Sequence, residues 1–247
     1  MILADWKEQR LVESYDVDLS GRLRPHVLFS YLLNSAWNHA ASSTYSYSEL
    51  TARNLMWVLI RFQMVLRGQP KWHDRLTIET WGKRIERLYA LRDFRVNGPS
   101  GEIFVSATSS WLILDKDSGR PQRFDTKADG FPWQPDKEEM ETVLEKVTEV
   151  SEGKQVASFR VQYSDIDVNR HVGSAKYLQW FVDSHSLELL EHSVPQSIEL
   201  SYLSEAVFDD EVTVFSDQGT GAEYCSLRRA TDNKELCRAL IKWGPAE

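Results

Sequence analysis

Carboxylate, amide, guanidinium and imidazole side chains are crowded into one short segment, YSDIDVNRH, which ends at His171. An apolar segment, Tyr177–Phe181, follows it closely. A solvated turn needs only one or two such polar residues, so the crowding requires another explanation. Hydrolysis needs a base that activates a nucleophile and donors that stabilise an oxyanion, and this set of side chains could supply both. The segment is therefore a candidate catalytic site.

The spacing of the polar residues predicts how they are presented. Asp167, Asn169 and His171 alternate, so an extended segment would direct all three side chains to the same side. A helix predicted to follow would offer free backbone N–H groups around Val172 and Gly173, and its dipole favours negative charge there. Val172 and Gly173 are therefore the predicted substrate-binding donors.

The chain contains an internal repeat. Asp16–Leu23 aligns with Asp165–Val172, and Trp72–Ile78 aligns with Phe208–Val214, in the same order and with one shortening between the blocks. Each match alone is weak, but their shared order indicates two copies of one unit.

Each copy is predicted to contain a polar turn, a helix and several strands. Apolar residues recur at three- and four-residue steps in both helices, as far as Leu189 in the second, where Ser174 is the expected cap. Leu76–Trp81 and Glu211–Phe215 alternate as half-buried strands do. A long helix with a strongly bent antiparallel sheet is a compact α+β unit.

The segment between the copies differs in composition. It is rich in turn-forming and polar residues, and apolar residues towards its end suggest a short amphipathic helix over residues 140–150. We interpret it as a linker packed against the body of the protein. The predicted boundaries are an N-terminal unit with the start of the linker over residues 1–134, the linker over 135–153 and a C-terminal unit over 154–247.

Composition and charge exclude several classes of protein. The formal net charge of −8 argues against a general nucleic-acid binder. No apolar run approaches the roughly 20 residues that span a bilayer, and the start, MILADWKEQR, lacks the apolar stretch of a signal peptide. Two cysteines without a CxxC spacing favour a reducing cytoplasm. The histidines show no metal-ligand spacing, so neither a metal nor another cofactor is expected.

Several motifs resemble one enzyme family. The second-copy segment, together with NLMWVLIRFQMVL, the pair Arg92-Asp93 and ATSSW, resembles the acyl-acyl carrier protein (acyl-ACP) thioesterases of plants and bacteria, from about Tyr15 to Trp243. The resemblance implies a tandem double hot-dog fold, in which each unit wraps a bent antiparallel sheet around a long helix. It also implies the release of free fatty acids from acyl carrier protein, which would be the partner.

The family motif D-x-N-x-H falls on Asp167, Asn169 and His171, and the family's catalytic glutamate falls on Glu205. Asp167 is the expected nucleophile or general base, and Glu205 would hold or activate water. His171 would transfer a proton or orient a carboxylate, while Asn169 would bind the carbonyl or fix the nucleophile. Ala206 stands where many plant members have a cysteine, so thiol catalysis at that position is excluded.

The surroundings of this site also follow from the sequence. Burial against Tyr177 and Trp180 is expected to raise the pKa of a carboxylate there and strengthen it as a base. The resemblance places the acyl pocket in the N-terminal unit, where Trp57 is the candidate wall among several large apolar residues. A patch that docks the acidic carrier remains unassigned, with candidates Arg84, Arg87, Arg92, Arg170 and Lys176.

Two alternatives remain open at this point. One is an acyl-CoA thioesterase on the same fold, since the sequence does not reveal a docking surface. The other is a regulator that binds an acyl thioester without cleaving it, although binding alone does not require the catalytic set. The sequence also leaves a homodimer open.

Overall fold

The computed structural model describes residues 3–41, 43–124, 130–141, 145–150, 153–219 and 221–246. The chain forms two compact units. The first comprises Met1–Leu23 and Leu28–Leu144, and the second comprises Arg24–Val27 and Glu145–Glu247. No helix in the described part of the chain is long and apolar enough to cross a membrane.

The first unit contains an antiparallel sheet in the order β1-β3-β4-β5-β2, with the short β6 paired to β5. Its strands are β1 (Asp5–Leu11), β2 (Leu55–Leu66), β3 (Arg75–Glu86), β4 (Tyr89–Asn97), β5 (Ile103–Asp115) and β6 (Pro121–Gln122). Its helices are α1 (Pro25–Ala40), which belongs to this unit from Leu28 onwards, and α2 (Tyr47–Ala52).

The second unit contains an antiparallel sheet in the order β8-β11-β10-β9-β7. Its strands are β7 (Lys154–Arg160), β8 (Ser193–Tyr202), β9 (Glu211–Gly219), β10 (Ala222–Arg229) and β11 (Glu235–Pro245). Its helices are α3 (Ser174–Asp183) and α4 (Leu187–His192). Helix and bent antiparallel sheet in both units confirm the predicted α+β hot-dog class.

Apolar packing joins helix to sheet within each unit. In the first, Leu28, Phe29 and Leu32 of α1 are buried, and the rings of Phe29 and Phe62 lie 4.2 Å apart, centroid to centroid. Bulges bend the long strands, including one in β3 after Gly82. That position requires glycine, because a Cβ atom there would come within 2.5 Å of the Phe131 ring.

The second-copy helix is shorter than predicted. The structure ends α3 at Asp183, and Leu189 belongs to the separate α4. Ser186 caps α4 by accepting a hydrogen bond from the Leu189 N–H, so a competing local cap interrupts the apolar periodicity. Ser174 is also not a cap, since Gly173 occupies that position without a side-chain hydrogen bond.

The first part of the linker packs against the first unit, and the described residues of the linker do not form the predicted amphipathic helix. Residues 140–141 and 145–150 are non-helical, while Val143 and Leu144 lie outside the described residues. The Trp81 indole N–H donates to the Lys137 carbonyl at 2.9 Å, and Lys83 Nζ donates to the Met140 carbonyl at 2.6 Å. Fixed backbone contacts, rather than a helical face, therefore hold this segment.

A buried polar cluster lies in the second unit. His185 Nε2 lies 2.6 Å from Glu223 Oε2, and Ser216 and Trp243 also donate to that carboxylate. Burial opposes the charged form of His185, but the hydrogen bond and charge of Glu223 outweigh it and raise the pKa of His185. Burial would raise the pKa of Glu223, but hydrogen bonds from His185 and Ser216 lower it to about 2.

We expect this pair to make stability depend on pH. The pKa of His185 is raised, so its contribution is complete below the unfolded value of about 6.5 and is lost as pH rises through the folded value. Glu223 contributes above its unfolded pKa of about 4.3, and that contribution is lost as pH falls towards 2. His185→Gln should therefore lower the free energy of unfolding by about 1–2 kcal/mol near pH 5.5 and by less at alkaline pH. Urea titrations at both pH values test this, and equal losses would contradict it.

Candidate functional site

The segment from Asp167 to His171 forms a turn and not an extended strand. The Asp167 N–H donates to the His171 carbonyl at 2.8 Å, and the Arg170 N–H donates to the Asp167 carbonyl at 3.0 Å. The Asp167 carboxylate accepts the Asn169 N–H at 2.7 Å, and Arg170 has a φ of 66°. The expectation of an extended segment is therefore wrong, because an Asx turn organises these residues.

The turn and the loop between β8 and β9 bring an imidazole and a carboxylate together. His171 Nε2 lies 3.2 Å from Glu205 Oε2, with side chains 30% and 46% exposed. The Ala206 N–H donates to the Tyr177 hydroxyl at 3.0 Å, which ties the glutamate's segment to α3. Two of the candidate residues, His171 and Glu205, thus lie close enough for proton transfer between them.

The Asp167 carboxylate is not buried as expected. Asp167 and Glu205 are both exposed, although Tyr177 and Trp180 are buried in the neighbouring helix. The helix turns these aromatic side chains towards the sheet, where the Tyr177 ring packs on Tyr202. The desolvation that was expected to activate a carboxylate is therefore absent from this site.

The predicted N–H donors are already occupied. The Val172 N–H donates to the Ala206 carbonyl and the Gly173 N–H donates to the Asp165 carbonyl, both at 2.9 Å. These bonds fix the start of α3, so the expectation that the N–H groups of Val172 and Gly173 are free is wrong. Within the described residues, the N–H groups of Ser174 and Ala175 have no hydrogen-bond partner, as expected for the first turn of a helix.

The first copy repeats the turn without the same side chains. The Asp18 carboxylate accepts the Ser20 N–H at 2.8 Å, and the Asp18 N–H donates to the Arg22 carbonyl at 2.8 Å. Arg22 replaces the imidazole and pairs with Asp18 at 3.1 Å. Gln69 takes the place of Glu205. The Leu23 N–H donates to the Pro70 carbonyl just as the Val172 N–H donates to the Ala206 carbonyl, so the residues before these two carbonyls correspond. An arginine cannot act as a base at neutral pH, so the first copy keeps the turn and lacks the acid–base pair.

An apolar pocket lies in the first unit. It contains about 480 Å³ of empty volume, including space open to solvent. Trp57 lines it, and the Trp57 indole N–H donates to the Tyr45 carbonyl at 3.0 Å. Small and aromatic residues form most of the wall: Ala36, Trp37, Ala40, Tyr45, Trp57, Ala90, Leu91, Trp111, Phe131 and Trp133.

The sequence predicted Trp57 as a wall of this pocket but gave a different place to Arg92. Arg92 was a candidate for a carrier-docking patch, but it lines the pocket instead. Of the other candidates, Lys176 pairs with Asp165 at 2.8 Å and Arg84 pairs with Glu86 at 2.6 Å. The signal for Arg92 was its place in β4 between Ala90 and Phe94, two positions away on either side, which share its face of the strand and are apolar.

Neither cysteine is positioned as a nucleophile. Cys225 and Cys237 are free and buried, and burial raises the pKa of the Cys225 thiol. Within the described ranges, no group of three or more histidine, cysteine, aspartate or glutamate side chains is arranged to hold a metal ion.

The two units, each of helix and bent antiparallel sheet, define a tandem hot-dog protein. Models for the N-terminal and C-terminal domains of acyl-ACP thioesterases match residues 4–127 and 148–245 respectively. The chain therefore belongs to the acyl-ACP thioesterase family.

Individual relatives agree with this assignment. The chain is 27% identical to a chloroplastic palmitoyl-acyl carrier protein thioesterase of Gossypium hirsutum, over 95% of this chain and 62% of the relative. It thus spans about three fifths of the length of that curated relative. An acyl-ACP thioesterase crystal structure from Bacteroides thetaiotaomicron covers 98% of both chains at 26% identity, with a TM-score of 0.89. A 12:0-ACP thioesterase from Umbellularia californica shares the fold, with 21% identity, a TM-score of 0.82 and coverage of 100% and 99%.

Proposed function

We propose that the protein hydrolyses the thioester of a fatty acyl-ACP and releases a free fatty acid, with acyl carrier protein as its partner. The observation that carries the proposal is the His171–Glu205 pair beside the Asp167 turn, at the positions of the family's catalytic motif. Family membership supports the substrate class. Release of the fatty acid would end chain elongation on the carrier.

The geometry supports a water-mediated reaction. Glu205 and His171 form a base that takes a proton from water, whose oxygen attacks the thioester carbonyl carbon. The Asn169 amide and the free N–H groups at the start of α3 are suited to the oxyanion. When the carbon–sulfur bond breaks, the imidazolium of His171 returns the proton to the departing thiolate. The oxygen of the water is thus incorporated into the fatty acid, and its abstracted proton ends on the carrier thiol.

Asp167 has a positioning role in this scheme. Its carboxylate accepts the Asn169 N–H, and Asp18 makes the same contact in the copy that lacks the imidazole. The aspartate contact is therefore present in a copy that has no imidazole, so it serves to form the turn. Asp167 is thus assigned to holding Asn169 and His171 in place, in preference to attack on the carbonyl.

Two substitutions of Asp167 distinguish a positioning role from attack on the carbonyl. The amide oxygen of Asp167→Asn can still accept the Asn169 N–H, so this variant should keep its turnover within about tenfold of wild type, whereas Asp167→Ala should lose about 10²-fold or more. The measurement is thiol release from an acyl-ACP by both variants, with circular dichroism as the control for folding. If Asp167→Asn is as inactive as Asp167→Ala, the carboxylate is the base or nucleophile and the positioning role is wrong.

We assign the acyl chain to the N-terminal unit and the catalytic residues to the C-terminal unit, with boundaries at residues 1–134, 135–153 and 154–247. The aromatic pocket around Trp57 supports the first assignment. We also propose a cytoplasmic location, supported by two free cysteines, although the curated relative from Gossypium hirsutum is chloroplastic.

A panel of acyl-ACP and acyl-CoA thioesters tests the proposed function. We expect thiol release to be faster from acyl-ACP than from the CoA thioester of the same chain, and Glu205→Gln to abolish it. Preference for CoA would favour the acyl-CoA thioesterase alternative. Binding of both substrates without thiol release would favour a regulator and overturn the proposal.

A further inference from the structure

The pocket in the first unit has aromatic and aliphatic walls except at one residue, Arg92. Arg92 lies on β4 and is half-buried, with part of its side chain facing the pocket. A methyl-ended acyl chain needs no cation in such a pocket. A guanidinium buried among aromatic rings also costs free energy unless its donors are matched. The hydrogen bonds of Arg92 therefore indicate which kind of ligand the pocket binds.

The structure uses only part of the hydrogen-bonding capacity of Arg92. Nη1 lies 3.0 Å from His39 Nδ1 and 3.1 Å from Thr80 Oγ1. Neither Nε nor Nη2 has a hydrogen-bond partner, and no carboxylate pairs with the guanidinium, among the residues that the structure describes. Burial lowers the pKa of Arg92 to about 10, so the group remains a cation at neutral pH.

His39 fixes the guanidinium without neutralising it. The imidazole Nε2 lies 2.8 Å from the Leu3 carbonyl and must donate its proton there. The Nδ1 lone pair is then free to accept from Arg92. Burial and the charge of Arg92 lower the pKa of His39 to about 4, so the ring is neutral at physiological pH. Arg92 is thus held in one orientation with its positive charge uncompensated by these neighbours.

We propose that Arg92 is a recognition point for a carboxylate at the end of an alkyl chain bound in this pocket. A carboxylate matches the geometry of the unused Nε and Nη2 donors and supplies the missing negative charge. The aromatic walls take the alkyl chain. The pocket is therefore a binding site for a fatty acid anion or for an acyl chain with a distal carboxylate.

These two ligands share one chemistry and differ in source. A free fatty acid is the product of the proposed hydrolysis, so its binding would make the product an inhibitor. A distal carboxylate would belong to the thioester of a dicarboxylic acid. Only this question of source rests on the proposed function, since binding to the pocket can be measured without hydrolysis.

The test compares two ligands with the same chain. Four of the lining residues are tryptophans, so quenching of intrinsic fluorescence reports occupancy. We expect wild type to bind decanoate at least tenfold more tightly than decan-1-ol, and Arg92→Met to lose this preference while still binding the alcohol. Arg95→Met is the matched control, because Arg95 lies on the same strand, pairs with Glu139 and does not line the pocket.

Further measurements keep the outcome decisive. Arg92→Gln provides a second variant if Arg92→Met does not fold, with circular dichroism as the check on both. Competitive inhibition of thioester hydrolysis by decanoate would identify the free acid as the ligand. Faster hydrolysis of a thioester with a distal carboxylate than of the methyl-ended thioester would identify the acyl chain. Equal binding of decanoate and decan-1-ol to wild type, or a preference that survives in both Arg92 variants, would overturn the proposal even if hydrolysis is observed.

Discussion

His171→Ala and Glu205→Ala should each lower turnover of an acyl-ACP thioester by about 10²–10⁴-fold, the usual cost of removing a positioned acid or base. The two side chains lie 3.2 Å apart, and each is partly exposed, so substrate and water can reach them. Neither lies in the buried core, so we expect both variants to fold. Thiol release under saturating substrate measures the effect on turnover.

The first copy supplies matched controls for both variants. Arg22 and Gln69 occupy the positions of His171 and Glu205 around an equivalent turn. Arg22→Ala and Gln69→Ala should therefore keep turnover within about tenfold of wild type, apart from any loss of stability. Controls as inactive as the second-copy variants would show that the losses come from structural damage and not from chemistry.

Lys83→Met should lower the free energy of unfolding by about 3–5 kcal/mol, the range for breaking a buried ion pair on one side. The side chains of Lys83 and Asp93 are fully buried, with Nζ and Oδ2 3.5 Å apart. Lys83 also pairs with Glu138 and donates to the Met140 carbonyl. The substitution leaves the Asp93 carboxylate buried without this cation, and it removes one of the contacts between the linker and the sheet. Urea unfolding followed by circular dichroism measures the loss.

A double variant separates the two contributions. In Lys83→Met/Asp93→Leu the unpaired buried charge is removed, so part of the lost stability should return. The hydrogen bond from the Glu139 N–H to Asp93 is lost as well, so recovery should be incomplete. A loss below about 1 kcal/mol for the single variant would show that the pair contributes little to folding.

The sequence predicted which residues belong to the candidate site better than it predicted their geometry. The resemblance to the family motif made Asp167, His171 and Glu205 candidates, because residue identity and order carry that information, and the structure places His171 beside Glu205. Alternation suggested an extended segment, whereas the Asp167 side chain competes successfully for the backbone and forms a turn. The same local bonding occupies the N–H groups of Val172 and Gly173, which simple helix geometry would leave free.

Periodicity predicted the α+β class and two of the strands, which lie in β3 and β9, and the family resemblance implied the hot-dog fold, but neither predicted the buried polar pairs. Lys83 and Asp93 lie on β3 and β4, and His39 and Arg92 lie on α1 and β4. The two residues of each pair lie on different elements of the fold, and no local sequence pattern encodes their pairing. Most charged side chains lie in solvent, so sequence alone favours an exposed position for each of them. Only the packed structure shows which of them are buried.

The central claim is that one copy of the repeat performs the chemistry and the other does not. The most direct test is the rate of thiol release from an acyl-ACP by Asp167→Ala and Asp18→Ala, which remove the same turn contact from the two copies. With both proteins folded by circular dichroism, Asp167→Ala should lose about 10²-fold or more and Asp18→Ala less than about tenfold. A folded Asp18→Ala protein as inactive as Asp167→Ala would contradict the assignment of catalysis to the second copy.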